Sequence, residues 1–162
     1  MDNRKIMKEH QTERWEHIDT CGSPDILYEA GEKYPAGTSF HYALHAGTVV
    51  PDLGEKPEGT KLGIYFEGLD GKADIYVTDG VREAHAHHPS DSPWFGHYRP
   101  EMMMTCGEFA PGDRAEIWVM IHDCGRVNGI GWPVRWIYTT DADVKALDEK
   151  TAREWRSSTL ND

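Results

Sequence analysis

The run from His85 to Arg99 gathers side chains able to do chemistry at a surface: His85-Ala86-His87-His88-Pro89-Ser90-Asp91-Ser92-Pro93-Trp94-Phe95-Gly96-His97-Tyr98-Arg99. Trp94 and Tyr98 offer flat apolar faces to the C–H side of a polyhydroxylated ring. His97, Arg99 and Asp91 offer partners for its hydroxyl groups. Two prolines restrict the loop, which lowers the entropy lost when it orders around a ligand. A second loop, Asp123 to Trp132, adds Arg126, Asn128 and Trp132. Phe95 and Trp94 also suit a plainer role, plugging one end of a core.

The histidines carry a rival chemistry. His85 and His87 are two apart, so on a strand they point the same way and could chelate one metal ion. Asp91 follows four positions after His87, and His122 could arrive from a neighbouring strand. The candidate ligands of a transition metal are thus His85, His87, Asp91 and His122, and the bland alternative is a solvated His-rich loop. Other catalytic patterns are missing: the sequence has no G-x-S-x-G elbow, phosphate loop or H-E-x-x-H. Glu29, Glu32, Glu67 and Asp70 could form a glycosidic carboxylate pair, but spatial separation decides such a pair and acidic residues are abundant.

The chain has 162 residues, enough for a single domain over 1–162 with a substantial core. Seventeen basic residues against twenty-eight acidic ones give a formal charge of −11, which opposes polyanions, so neither nucleic acid nor an anionic membrane is an expected partner. No apolar run reaches the roughly eighteen residues of a membrane span. Met1-Asp2-Asn3-Arg4-Lys5 leads into Glu and His rather than a signal-peptide core, so the expectation is a cytoplasmic protein or an excised domain. Cys21, Cys106 and Cys124 show no C-x-x-C spacing; Cys106 and Cys124 flank one expected strand and could pair in an oxidising compartment, with three free thiols as the simpler reading.

These residues need a scaffold. Residues 2–17 are rich in Lys, Glu, Arg and Gln and suit a partly exposed helix. Residues 141–157 form a second helical candidate, with Asp141 or Asp143 as N-cap and Val144, Leu147, Ala152 and Trp155 as its apolar stripe. Between them, over 18–140, Gly and Pro punctuate short strand-like runs. In Ala115 to His122, Ala115, Ile117, Val119 and Ile121 share one face, and Glu116, Trp118, Met120 and His122 the other. Lys61 to Glu67 and Ala73 to Thr78 read as two strands joined by the turn Gly68-Leu69-Asp70-Gly71. Ser39 to Ala46 and Val134 to Thr139 complete the set, and Met102-Met103-Met104 reads as core or interface filling. Short strands without intervening helices predict a mainly β fold, an antiparallel β-sandwich or jelly roll with short terminal helices. Those helices are also candidate contacts for a homo-oligomer.

The stretch from Thr60 to Gly80, with Phe66-Glu67-Gly68-Leu69-Asp70 followed by Ala73-Asp74-Ile75-Tyr76-Val77-Thr78-Asp79-Gly80, resembles the galactose-binding-like jelly roll of β-galactosidase and β-glucuronidase type glycoside hydrolases. Further landmarks follow in that family's order: His85, Pro93-Trp94-Phe95, the turn Pro111-Gly112-Asp113, the strand Ile117 to Asp123, and Asn128-Gly129-Ile130 through Pro133-Val134. The similarity covers about residues 36–140. Thr78-Asp79-Gly80 stands where Asn-Gly is usual, and Asp-Gly makes the same tight turn. In that family the jelly roll is ancillary and the catalytic carboxylates lie on a separate barrel. The resemblance therefore implies a non-catalytic carbohydrate-binding domain, freestanding or ancillary, whose partner is an oligo- or polysaccharide. Its site would use Trp94, His97, Tyr98, Arg99, Arg126, Asn128 and Trp132. No cofactor is implied beyond a structural calcium, which such sandwiches often carry. The alternative is a small metal-dependent enzyme: the His85, His87, Asp91 and His122 set resembles the cupin metal motif, with Asp for the usual Glu and Tyr98 at the expected glycine.

Overall fold

Alternation along the chain explains the central strand. Every second residue from Ala115 to Ile121 is apolar, and all four are buried, as are Trp118 and Met120 on the opposite face. A strand covered on both faces belongs in the middle of a sheet, and this one does. The computed structural model of the chain describes residues 16–19, 42–70, 72–88, 101–121, 129–130 and 134–160. Its elements are β1 (Glu16–Asp19), β2 (Tyr42–Val49), β3 (Lys61–Phe66), β4 (Leu69–Asp70), β5 (Ala73–Thr78), β6 (Glu83–His88), β7 (Met102–Thr105), β8 (Arg114–Ile121), β9 (Gly129–Ile130), β10 (Val134–Thr139) and α1 (Asp141–Leu160).

The strands form a five-stranded sheet ordered β1-β2-β8-β5-β6, a three-stranded sheet ordered β10-β3-β7, and a small β4-β9 pair. Every pairing is antiparallel. One buried cluster draws Ile75, Val77, Ile117, Val119 and Ile121 from the first sheet and Ile64, Phe66, Met102, Met104 and Trp136 from the second. Burying a large aliphatic or aromatic side chain of this kind stabilises the fold by about 1.5–3 kcal/mol each. Cys106 lies in the same cluster as a free thiol, and burial pushes its pKa up to about 12.

The outer face of the three-stranded sheet is covered by α1. Leu147, with Val144 beside it, packs on Tyr65, Met103 and Ile137. The apolar stripe ends differently from the sequence expectation. Ala152 is exposed, whereas the neighbouring Thr151 is buried and donates its hydroxyl to the Glu101 carbonyl at 3.3 Å. The side chain of Trp155 lies outside the described residues. The N-cap is Thr140, one residue earlier than expected: its hydroxyl accepts from Asp143 N at 3.1 Å and its carbonyl from Val144 N at 3.1 Å. Asp141 instead accepts from Lys61 Nζ at 2.7 Å and Thr105 Oγ1 at 3.2 Å. These contacts hold its carboxyl below the usual carboxylate range, the Lys61 hydrogen bond contributing most. Among the described residues, no helix is long and apolar enough to cross a membrane.

Two further expectations are corrected. Glu16 and His17, assigned to a helix over 2–17, lie in β1, where they face His45 and Leu44. Sheet pairing overrides the helical preference of that charged run; residues 2–15 lie outside the described residues. The segments 61–66 and 73–78 are strands, but not partners in a hairpin. β3 belongs to one sheet and β5 to the other, and β4, in the expected turn, pairs with β9.

Candidate functional site

The alternation that buries Ile75, Val77, Ile117 and Val119 turns Asp74, Tyr76 and Thr78 of β5, and Arg114, Glu116, Trp118 and Met120 of β8, to the outer face of the five-stranded sheet. Strand register sets these residues in rows. His45, Trp118, Tyr76 and His85 lie side by side across β2, β8, β5 and β6. On one side runs Ala43, Met120, Asp74 and His87; on the other, Gly47, Glu116, Thr78 and Glu83.

The ring row is made of two stacked pairs. His45 lies on Trp118 with centroids 3.8 Å apart and planes at 23°, and Tyr76 lies on His85 at 4.5 Å and 14°. Carboxylates hold the imidazoles: His45 Nε2 bonds Glu116 Oε1 at 3.2 Å, and His85 Nε2 and His87 Nδ1 reach Asp74 Oδ1 at 2.7 and 3.1 Å. Trp118, a member of the row, is 4% exposed and meets little solvent. The side chains of His85 and His87 are 46% and 44% exposed. Burial, then the carboxylates of Asp74 and Glu83, raise the Tyr76 phenol above its ordinary range, so it is a neutral hydroxyl near pH 7.

His85 and His87 do share a face, as their spacing predicts. Both converge on one carboxylate oxygen of Asp74. Among the described residues, His, Cys, Asp and Glu form no group of three or more arranged to hold a metal. The remaining candidate ligands, Asp91 and His122, lie outside the described residues. So do all seven candidates for ring and hydroxyl contacts: Trp94, His97, Tyr98, Arg99, Arg126, Asn128 and Trp132. Trp136 is a core residue, 1% exposed.

At one end of the outer face an open depression of about 450 Å³ is lined by Gly47, Val49, Thr78, Asp79, Arg114 and Glu116, among others. One wall is the β5–β6 loop, four residues long rather than the tight two-residue turn suggested by Asp-Gly. Asp79 organises it. Its Oδ1 accepts from Val81 N at 2.9 Å and Arg82 N at 2.6 Å, and its Oδ2 from Arg82 Nε at 2.9 Å. The Arg82 guanidinium also donates to the Glu108 carbonyl at 2.7 Å and to Asp113 at 3.1 Å, and lies 4.6 Å from the centre of the Phe109 ring. That residue ties the β5–β6 loop to the loop before β8.

The Arg82 and Val81 amides, with the Arg82 side chain, lower the Asp79 pKa from 3.8 to about 2. A carboxyl depressed on folding contributes stability that is complete above its unfolded pKa and lost as pH falls through the folded one. Thermal melts of wild type should therefore show an acid limb between pH 3.8 and about 2 that is shallower in Asp79→Asn. Superimposable limbs would deny Asp79 this role.

Asp74, Glu116, His45 and Gly47 were not apparent as site residues in the sequence. The only signal was alternation, which places Asp74 and Glu116 opposite the core. Their neighbours depend on strand order.

The architecture defines the class first: a mainly β protein of antiparallel sheets with one C-terminal helix among the described residues. The sequence matches no protein-family profile and no curated protein. Among solved structures, a chain from Bacteroides fragilis described as a "putative beta-galactosidase" is similar, with a TM-score of 0.52 and 15% identity. The alignment covers 83% of this chain and 23% of that one, so the present chain spans less than a quarter of that protein's length. At this identity the likeness is one of fold.

Proposed function

We propose that this chain is a non-catalytic carbohydrate-binding domain, a β-sandwich of jelly-roll type that stands alone or serves a glycoside hydrolase. The observation that carries this reading is the fold: 83% of the chain aligns with 23% of a larger protein described as a "putative beta-galactosidase". Fold alone does not define activity, and three features of the chain support the direction. Rings and fixed polar groups are concentrated on one sheet face, and the sequence segments 85–99 and 123–132 are rich in the same residue types. The net charge of −11 favours a neutral partner over a polyanion. Asp74 and Glu116, two carboxylates of the face, are held by imidazoles, which fixes acceptors for the hydroxyl groups of a ligand.

Glycan-array screening followed by calorimetry tests the reading. Neutral glycans are expected to bind with and without chelator. Trp94→Ala or Tyr98→Ala should weaken affinity about 2- to 10-fold, the loss of a ring-stacking contact. A chain that answers to no glycan would refute the proposal.

A further inference from the structure

We infer that the depression beside Gly47 seats one neutral pyranose unit, and that residue 47 is glycine so that the sugar ring can approach the sheet. This rests on the carbohydrate-binding reading and places the contact on the outer face of the sheet rather than on the loops alone.

The first support is that nothing among the described residues requires glycine there. Gly47 lies inside β2, where it weakens the strand by having no side chain to pack and more backbone freedom to lose. Register runs through it without a bulge: Ala46 faces Ile117, Gly47 faces Glu116 and Thr48 faces Ala115. Its φ is not in the left-handed region, unlike those of Gly54, Gly59, Gly80 and Gly112. A Cβ placed on it meets no atom of the described residues within 4 Å. With turn, bulge and close packing excluded among the described residues, the reading we adopt for this mid-strand glycine is room for a ligand.

The second support is the chemistry around that space. Glu116 gives one carboxylate oxygen to His45 and has a second oxygen to accept with. Arg114 is exposed, lines the same space two residues away on the same face, and makes no ion pair among the described residues. Thr78 accepts from Gly80 N at 3.1 Å, which leaves its O–H to donate. A sugar hydroxyl both donates and accepts, so a diol satisfies Glu116, Arg114 and Thr78 together. Glu116 and Arg114 bring opposite charges to the space, so a neutral diol can meet both without adding a charge of its own. Val49, 53% exposed, supplies an apolar contact for the C–H side of the ring. The volume of about 450 Å³ falls among small-ligand sites, roughly 300–1,000 Å³.

Calorimetry with array-selected glycans, using the 162-residue chain and its variants, tests this. Gly47→Val should lose at least tenfold in affinity while its Tm holds or rises by about 1–4 °C, because valine suits a strand better than glycine. Glu116→Gln and Arg114→Gln should weaken binding with Tm nearly unchanged. Wild-type affinity in all three variants, with loss in Trp94→Ala, would overturn the Gly47 seat and leave the carbohydrate reading standing. A wild-type chain that binds no glycan would overturn both. If Gly47→Val melts lower than wild type, glycine is needed by the fold and the inference fails.

Discussion

Trp136→Ala is expected to lower the free energy of unfolding by about 3–5 kcal/mol. Trp136 is 1% exposed, lies opposite Ile64 in the β10–β3 pair and belongs to the cluster shared by both larger sheets. Removing the indole takes away its transfer free energy and leaves a cavity that strands on either side, held by their ladders, cannot collapse to fill. Domains typically have about 5–15 kcal/mol of stability in all, so this substitution consumes a large share of it. Urea titration followed by far-ultraviolet circular dichroism would measure the shift. A loss under about 1 kcal/mol would contradict the central placement of this ring.

Gly63→Ala should also destabilise, by about 1–3 kcal/mol or more, although alanine ordinarily improves on glycine within a strand. A Cβ at this position would come within 2.6 Å of the Met104 carbonyl oxygen and 2.9 Å of Thr139 Cγ2. The first obstacle is main chain of the paired strand β7, so relief requires β7 to move away from β3. Gly63 and Gly47 thus form a controlled contrast: both are mid-strand, one crowded and one facing open space. The same denaturant titration should move them in opposite directions. A Gly63→Ala protein as stable as wild type would mean that β3 and β7 are not this close.

Much of the strand content was legible because it rests on local rules. Val134 to Thr139 forms a strand over the expected range, and β8 begins one residue earlier than expected, at Arg114, while His122 lies outside the described residues. The C-terminal helix was equally local, since an apolar stripe on one side of a charged run fixes its face. β6 was hidden by its composition: Glu83–His88 holds three charged or imidazole side chains on one face and only Ala84 and Ala86 as partly buried apolar ones. It becomes a strand because β5 offers a partner. The outer-face rows were unreadable for a related reason. His45 and Trp118 stack across strands separated by more than seventy positions in sequence, and only the order of strands brings them together. The turn residues Asp79 and Gly80 announced a reversal but not its length, which the Asp79 carboxylate sets by gathering amides from the far side.

The position of β8 has a consequence for how the chain reaches this state. β2 and β5 are both finished long before residues 114–121 exist, yet each depends on that strand for a partner. During synthesis the edges of β2 and β5 that face β8 wait for it, while the β1–β2, β5–β6 and β3–β7 pairs, all made of earlier residues, are able to close first. Folding should be slow for the chain's size, because entropy must be surrendered over long separations before most ladder contacts form. The interval before β8 emerges is when this protein is most exposed to pairing with the wrong neighbour.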